Sequence, residues 1–259
     1  MRLATVSNDI APRPDAETQA RIDLAAAHRI AEMQGLSEGI FNHLTLTVPG
    51  KPGRYYQIPF GLHWSEVTAS CFMEVGFDGT LLAGSGEIER SCYCIHAPIH
   101  ELVPSAACVM HTHQPFASAV CRLDPPRIEP IGQTELGFLD DITYDDTYDG
   151  QAWDPAEGRR LAGRIGDKKV MLLASHGPLV VGRSVAEAYD RLYYLERACQ
   201  TQIYAMSSGR PLKYVAPEVV ERTVRQYRDP PSFSAKPTWE VHFDALKRIL
   251  DRRGDNYRD

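Results

Sequence analysis

No stretch of this 259-residue chain approaches the roughly 18 to 20 consecutive apolar residues that a membrane-crossing helix requires. The opening residues, MRLATVSNDIAPRPDAE, lack the apolar centre of a secretory signal, so a cytoplasmic location is expected. A basic stripe is also missing. The chain carries 28 Lys and Arg against 34 Asp and Glu, a formal net charge of -6, which speaks against a nucleic-acid partner. No polybasic run invites an anionic membrane surface. The six cysteines include no C-x-x-C pair, only Cys92-Tyr-Cys94, so the usual zinc-ribbon and dithiol redox spacings are absent. Reduced thiols are expected, and Cys71, Cys108 and Cys199 sit in apolar runs as small buried hydrophobes. Internal repeats and low-complexity tracts are lacking too. What remains, 43% hydrophobic and 24% charged residues, is ordinary for a soluble globular protein.

Residues 1–14 are polar with two prolines and read as a flexible arm. From Asp15 to Met33 apolar residues recur at Ile22, Ala25, Ala26, Ile30 and Met33, a helical stripe closed by Gly35. Strand-type runs follow at His43–Val48, Arg54–Pro59 and Cys71–Val75, the last before a turn at Asp78-Gly79. Ser91 to Val103 reads as a helix stopped by Pro104, and Ala106–His113 as a strand that begins apolar and ends polar. Residues 122–160, rich in Asp, Pro and Gly, read as loops around one or two short strands. Lys169–Ala174 and Leu179–Gly182 form a predicted strand pair turning at His176-Gly177-Pro178. The clearest helix runs from Val185 to Met206, with Ser184 as N-cap, Glu187 completing a capping box, and Gly209 as the stop. Another amphipathic helix lies at Trp239–Arg253. This order predicts an α/β domain over 15–212 with a central, mostly antiparallel sheet covered by helices, and a helical extension over 213–259.

Three histidines carry the chemistry. Side chains alternate along a strand, so His111 and His113 point to one face, their Cα atoms about 7 Å apart, close enough to converge on one ion. His176 ends an apolar strand at a turn where Gly177 permits a left-handed or closely packed backbone. Three imidazoles leave a fourth position open, the arrangement of a catalytic metal site. His96 and His100, spaced i, i+4, share one helix face. Ile95, Ile99, Leu102 and Val103 make that helix a core element, and the two are read as structural. His28, His43, His63 and His242 have no ligand-type context.

Several stretches together resemble the class II aldolase/adducin family: Gly39-Ile-Phe-Asn42-His43, Ile58-Pro-Phe-Gly61, Trp64-Ser-Glu-Val-Thr-Ala-Ser70, His96 followed by Cys108-Val-Met-His111-Thr-His113, and Leu172-Leu-Ala-Ser-His176-Gly177. The resemblance spans about residues 20 to 210 and is nearer the adducin-like bacterial branch than the sugar-phosphate aldolases. It implies a three-layer α/β/α sandwich and a homotetramer with active sites at subunit interfaces. It further implies that His111, His113 and His176 bind a divalent ion, Zn2+ above all, with Fe2+ or Mn2+ as alternatives. Asn42 stands where the phosphate-handling aldolases carry a substrate-contacting asparagine. Cys92 stands where they carry the acidic general acid/base. A thiol of ordinary pKa near 8.5 is mostly protonated at neutral pH and does not simply replace a carboxylate. Glu87 and Glu89 are out of register by three to five residues and are read as solvated, and Glu135 is a loose candidate, as are Tyr144 and Tyr148 as proton donors.

The expected function is a metal-dependent lyase acting on a carbon–carbon bond of a small carbonyl or hydroxy-acid substrate, by aldol cleavage or decarboxylation. Decarboxylation tolerates Cys92 better, because it needs the electron sink more than the missing acid. A non-haem Fe(II) oxygenase on the same scaffold stays open, since imidazoles suit iron as well as zinc. So does a non-catalytic adducin-like interaction module.

Overall fold

The computed structural model describes residues 14–229 and 234–259, so the arm expected over 1–14 lies, except for Pro14, outside the described residues. Eight strands form one sheet: β1 (His43–Thr47), β2 (Arg54–Gln57), β3 (Met73–Gly76), β4 (Leu81–Ala83), β5 (Cys108–His111), β6 (Ile142–Asp145), β7 (Val170–Leu173) and β8 (Pro178–Gly182). Their spatial order is β4-β3-β2-β1-β5-β8-β7-β6. Every neighbouring pair is antiparallel except β6 and β7.

Helices cover both faces, as the alternation of the strands demands. Leu44 and Leu46 of β1 and Cys108 and Met110 of β5 share one apolar core with α1 (Ala16–Met33), α6 (Val185–Ser207) and α8 (Thr238–Arg253). Val109 of β5 and Leu179 and Val181 of β8 face the other way, into a core with α2 (Arg90–Leu102) and α5 (Pro155–Ile165). The result is a three-layer α/β/α sandwich. Shorter helices, α3 (Pro115–Val120) and α4 (Gln133–Leu136), follow β5, and α7 (Pro217–Arg228) precedes α8. Phe243, Leu246, Leu250 and Tyr257 belong to the larger core, so the last helix is packed into the body of the fold.

The helix boundaries follow local chemistry. Asp15 caps α1 by accepting from Thr18 N–H at 2.8 Å, and Glu89 caps α2 by accepting from Cys92 N–H at 2.6 Å. Ser184 Oγ caps α6 by accepting from Glu187 N–H at 3.2 Å. The reciprocal half of the expected box differs: the Glu187 carboxylate takes the N–H of Arg183, at 2.7 Å, because its ion pairs with Arg183 and Arg191 draw it there.

Residues 122–160 hold the short strand expected there, β6, which pairs in parallel with β7, and also two helical pieces that were not expected, α4 and the first half of α5. Parallel neighbours need a crossover, and α5 is that crossover. Its small apolar face hid it: Gly158, Leu161, Ala162 and Ile165 are its buried residues. Gly158 lies so close to α2 that a Cβ there would collide with the Cys94 carbonyl oxygen.

Candidate functional site

The edge of the sheet where β1, β5 and the β7–β8 turn end together gathers the histidines. His111 is the last residue of β5 and pairs across the sheet with His43, the first of β1. The strand stops at His111, so His113 is not held by strand alternation as expected. It is held by Asn42, whose Oδ1 accepts its N–H at 3.0 Å. Asn42 itself sits at φ 75, a left-handed conformation that asparagine tolerates better than most residues. The turn that carries His176 is bent in the same way, with Ser175 at φ 59. Gly177 is needed for its closeness: a Cβ there would lie 2.8 Å from the Thr112 carbonyl oxygen and 3.2 Å from the His113 ring.

These local devices bring His111, His113 and His176 together, with one nitrogen from each within 4.8 Å of the others. Ring centroids are 4.6 Å apart for His111 and His176, and 5.0 Å for His113 with either partner. His111 Nδ1 lies 2.8 Å from the Pro178 carbonyl oxygen, which can only accept, so that nitrogen carries the ring's hydrogen. His113 Nδ1 faces the Glu38 carboxylate, which likewise only accepts. Both neutral rings therefore present bare Nε2 lone pairs, and these face each other at 3.2 Å. Two lone pairs at that distance repel unless a cation lies between them. The donor set thus fits a divalent ion, with Glu38 and the Pro178 carbonyl fixing the tautomers, the usual arrangement behind metal-binding histidines. Burial, with His176 and His113 nearby, pushes His111 well below the ordinary histidine pKa. Burial, with His113 and Arg122 beside it, pushes His176 down to about 4.

The other expected residues fall into distinct places. Asn42 lines a small cleft with Ile40, His43, Gln57, Phe60 and Glu89. Cys92 is fully buried, and burial, with the charge of Glu89, raises its thiol pKa well above the ordinary value, so it keeps its proton at neutral pH. Glu87 is exposed, as read. Glu89 is not solvated: its carboxylate sits 2.9 Å from His43 Nε2 and accepts from Ser91 Oγ at 2.8 Å. Burial works to raise its pKa, but the hydrogen bonds from His43, Cys92 and Ser91 win and hold it at about 2. Glu135 is buried on α4, its Oε1 without a hydrogen-bond partner among the described residues. Tyr148 reaches the rim, its ring 6.2 Å from that of His176. Tyr144 is occupied elsewhere, accepting from Ile128 N–H at 3.3 Å with Arg127 over its ring.

Of the remaining histidines, one reading holds and one changes. His100 is structural, as expected, donating from Nδ1 to the Ala106 carbonyl at 2.7 Å. His43 does have a ligand-type context: His43, Cys92 and His96 offer atoms within 4.8 Å of one another. Glu38, His43 and Glu89 were missed as site residues. The cross-strand pairing of His43 with His111 was the available signal, and it needs the register, which no spacing in the chain reveals.

A family model described as Class II Aldolase and Adducin N-terminal domain matches residues 22–203. A candidate aldolase class 2 protein of Caulobacter vibrioides is 34% identical over 246 residues, covering 95% of this chain and 94% of its own. Mouse alpha-adducin is 32% identical over 90% of this chain, which spans 33% of that longer protein. The crystal structure of an aldolase II superfamily protein from Pseudomonas syringae superimposes with a TM-score of 0.88 at 34% identity, covering 95% of this chain and 98% of the other.

Proposed function

Because the chain belongs to the class II aldolase and adducin N-terminal domain family, we propose that it is a metal-dependent lyase acting on a carbon–carbon bond of a small carbonyl or hydroxy-acid substrate. The observation that carries this reading is the pair of opposed Nε2 lone pairs of His111 and His113, 3.2 Å apart, with His176 beside them. His111, His113 and His176 would hold a divalent ion, most simply Zn2+, and leave a position open for substrate. When bound, such an ion supplies Lewis acidity toward a carbonyl or carboxylate oxygen.

The surrounding residues support substrate handling. Asn42 spends its Oδ1 on His113, so its amide NH2 remains for a substrate oxygen at the cleft. Cys92, buried and protonated, is a poor general base, which favours decarboxylation over aldol cleavage. Tyr148, exposed and with its ring 6.2 Å from that of His176, offers a hydroxyl that could deliver a proton. Exposed Ile40 and Phe60 line the cleft, with exposed Phe41 packed 6.1 Å from Phe60, which agrees with a homotetramer whose subunits meet at the site.

Metal analysis of anaerobically purified protein, joined to a screen of small keto and hydroxy acids by mass spectrometry, tests the reading. Oxygen-independent turnover that is lost with one metal equivalent in His111→Ala is the expected result. Oxygen consumption coupled to ferrous iron would replace the lyase with an oxygenase. A full metal complement in His111→Ala would remove the site assignment altogether.

A further inference from the structure

Behind the three-histidine cluster lies a second set of metal-type side chains that the lyase chemistry does not use. His43 and Thr45 alternate on β1 toward α2. Cys92, His96 and His100 recur every four residues on α2 and so share one face. His96 is fully buried, as is Cys92. Rings of His43 and His96 meet edge to face at 5.5 Å, and Cys92 completes a group whose ligand atoms lie within 4.8 Å of each other.

The hydrogens of this cluster can be counted. His100 Nδ1 must carry its hydrogen, because it faces the Ala106 carbonyl oxygen at 2.7 Å. Its Nε2 is then an acceptor, and Thr45 Oγ1, 2.8 Å away, donates to it. With that hydrogen spent, Thr45 Oγ1 accepts from His96 Nδ1 at 2.8 Å. His96 Nε2 is consequently a bare lone pair, and it is buried with no partner among the described residues. His43 lies against Glu89, whose carboxylate is 2.9 Å from Nε2, yet both ring nitrogens are buried without a hydrogen-bond partner among the described residues. An imidazole carrying a single hydrogen leaves one of the two as a bare lone pair. Two buried acceptors therefore lie beside the Cys92 thiol, which makes no hydrogen bond to either. Both lone pairs are unsatisfied among the described residues, a state that a bound cation relieves.

We propose that His43, Cys92 and His96 form a second metal site, taking a zinc-like divalent cation, behind the three-histidine site. Binding exchanges the Cys92 thiol proton for the cation, the proton leaving to solvent and the sulfur staying as thiolate. The charges then balance in a buried place: two positive on the ion, one negative on Cys92 and one on Glu89. A mixed nitrogen and sulfur set selects zinc-type ions over Mg2+ or Ca2+, which prefer oxygen. Glu89 stands 2.9 Å from His43, as a carboxylate neighbour of the kind Glu38 is to His113. The His43 ring stacks at 6.3 Å on that of His111, its cross-strand partner. A cation held there clamps β1 to α2 and steadies His111, a positioning role. It also gives a reason for a cysteine at position 92: the side chain serves as ligand instead of as acid/base.

Cobalt titration of the metal-free full-length protein tests this without any turnover. Wild-type protein is expected to take two Co2+ per chain with a near-ultraviolet thiolate-to-cobalt band. His111→Ala should keep one equivalent and the band; Cys92→Ser should keep one equivalent and lose the band. Should the serine variant fail to fold, the band in wild type and in His111→Ala still decides. Absence of a thiolate band at full loading, or an unchanged two-equivalent titration in Cys92→Ser, overturns the second site. Loss of all cobalt in His111→Ala overturns it as well. A failure confined to the three-histidine site looks different, since the band then persists whatever happens to His111.

Discussion

Glu38 is the residue whose removal separates metal binding from folding. Its side chain is 60% exposed, and its one role within the site is to hold the His113 tautomer. Glu38→Ala should weaken metal affinity about 10- to 100-fold, read by chelator competition, with thermal unfolding of the metal-free protein unchanged. Asn42 is the contrasting case, because backbone and side chain are both committed. It carries the left-handed φ and the hydrogen bond to His113 N–H. Asn42→Ala should therefore lower both metal affinity and stability. Asn42→Gly should recover stability alone, since glycine accepts the backbone but offers no acceptor. At this scale His176, His111 and His113 were legible from residue type and turn chemistry. Glu38, His43 and Glu89 were not, since each acts on a partner brought near only by strand pairing.

Elements differ in how openly they announce themselves. The long helix α6 is readable because its N-cap serine and apolar spacing are local, and Ser184→Ala should cost about 1 kcal/mol in chemical denaturation. Helix α5 is obscured by its composition, with Pro155, Gly158 and Gly163 within a polar segment. The glycine that blurs the helical signal is the residue the packing requires. Gly158→Ala should destabilise the protein by roughly 1 to 3 kcal/mol despite the better helix propensity of alanine, because the added methyl meets the Cys94 carbonyl. A stabilised Gly158→Ala variant in urea unfolding would refute that close packing. The same contact sets how α5 crosses α2, and through that the parallel pairing of β6 with β7.

For the molecule as a whole, acid should act in two stages. His28 is fully buried beside Trp64, and burial lowers its pKa from 6.5 to about 4. Below pH 6.5 the unfolded chain takes up a proton that the folded chain refuses, so stability falls as pH drops toward 4 and levels off for this group beneath that. The loss is on the order of 3 kcal/mol. Glu187 is the opposite kind of group. Burial raises its pKa, but Arg183 and Arg191 outweigh that and bring it from 4.5 to about 2. Its contribution is present above pH 4.5 and vanishes as pH falls through 2. Urea unfolding of the metal-free protein across pH 2 to 7 should show both stages; His28→Gln should lessen the loss between 6.5 and 4, to which buried His100 and His176 also contribute, and leave the lower stage unchanged.

Local chemistry in the chain was enough to determine the alternation of sheet and helices, the stop of α1 at Gly35 and the N-cap of α6, because periodicity and capping act over a few residues and no partner had to be known. The three converging histidines were named from strand alternation and the family resemblance together, and the alternation ends at His111. Only the tertiary structure decided that β1 lies against β5 in a register that opposes His43 to His111, and that α2 turns Cys92 and His96 toward them. Those juxtapositions depend on which strands become neighbours and on how closely helices can approach, and both are settled by packing across the whole domain.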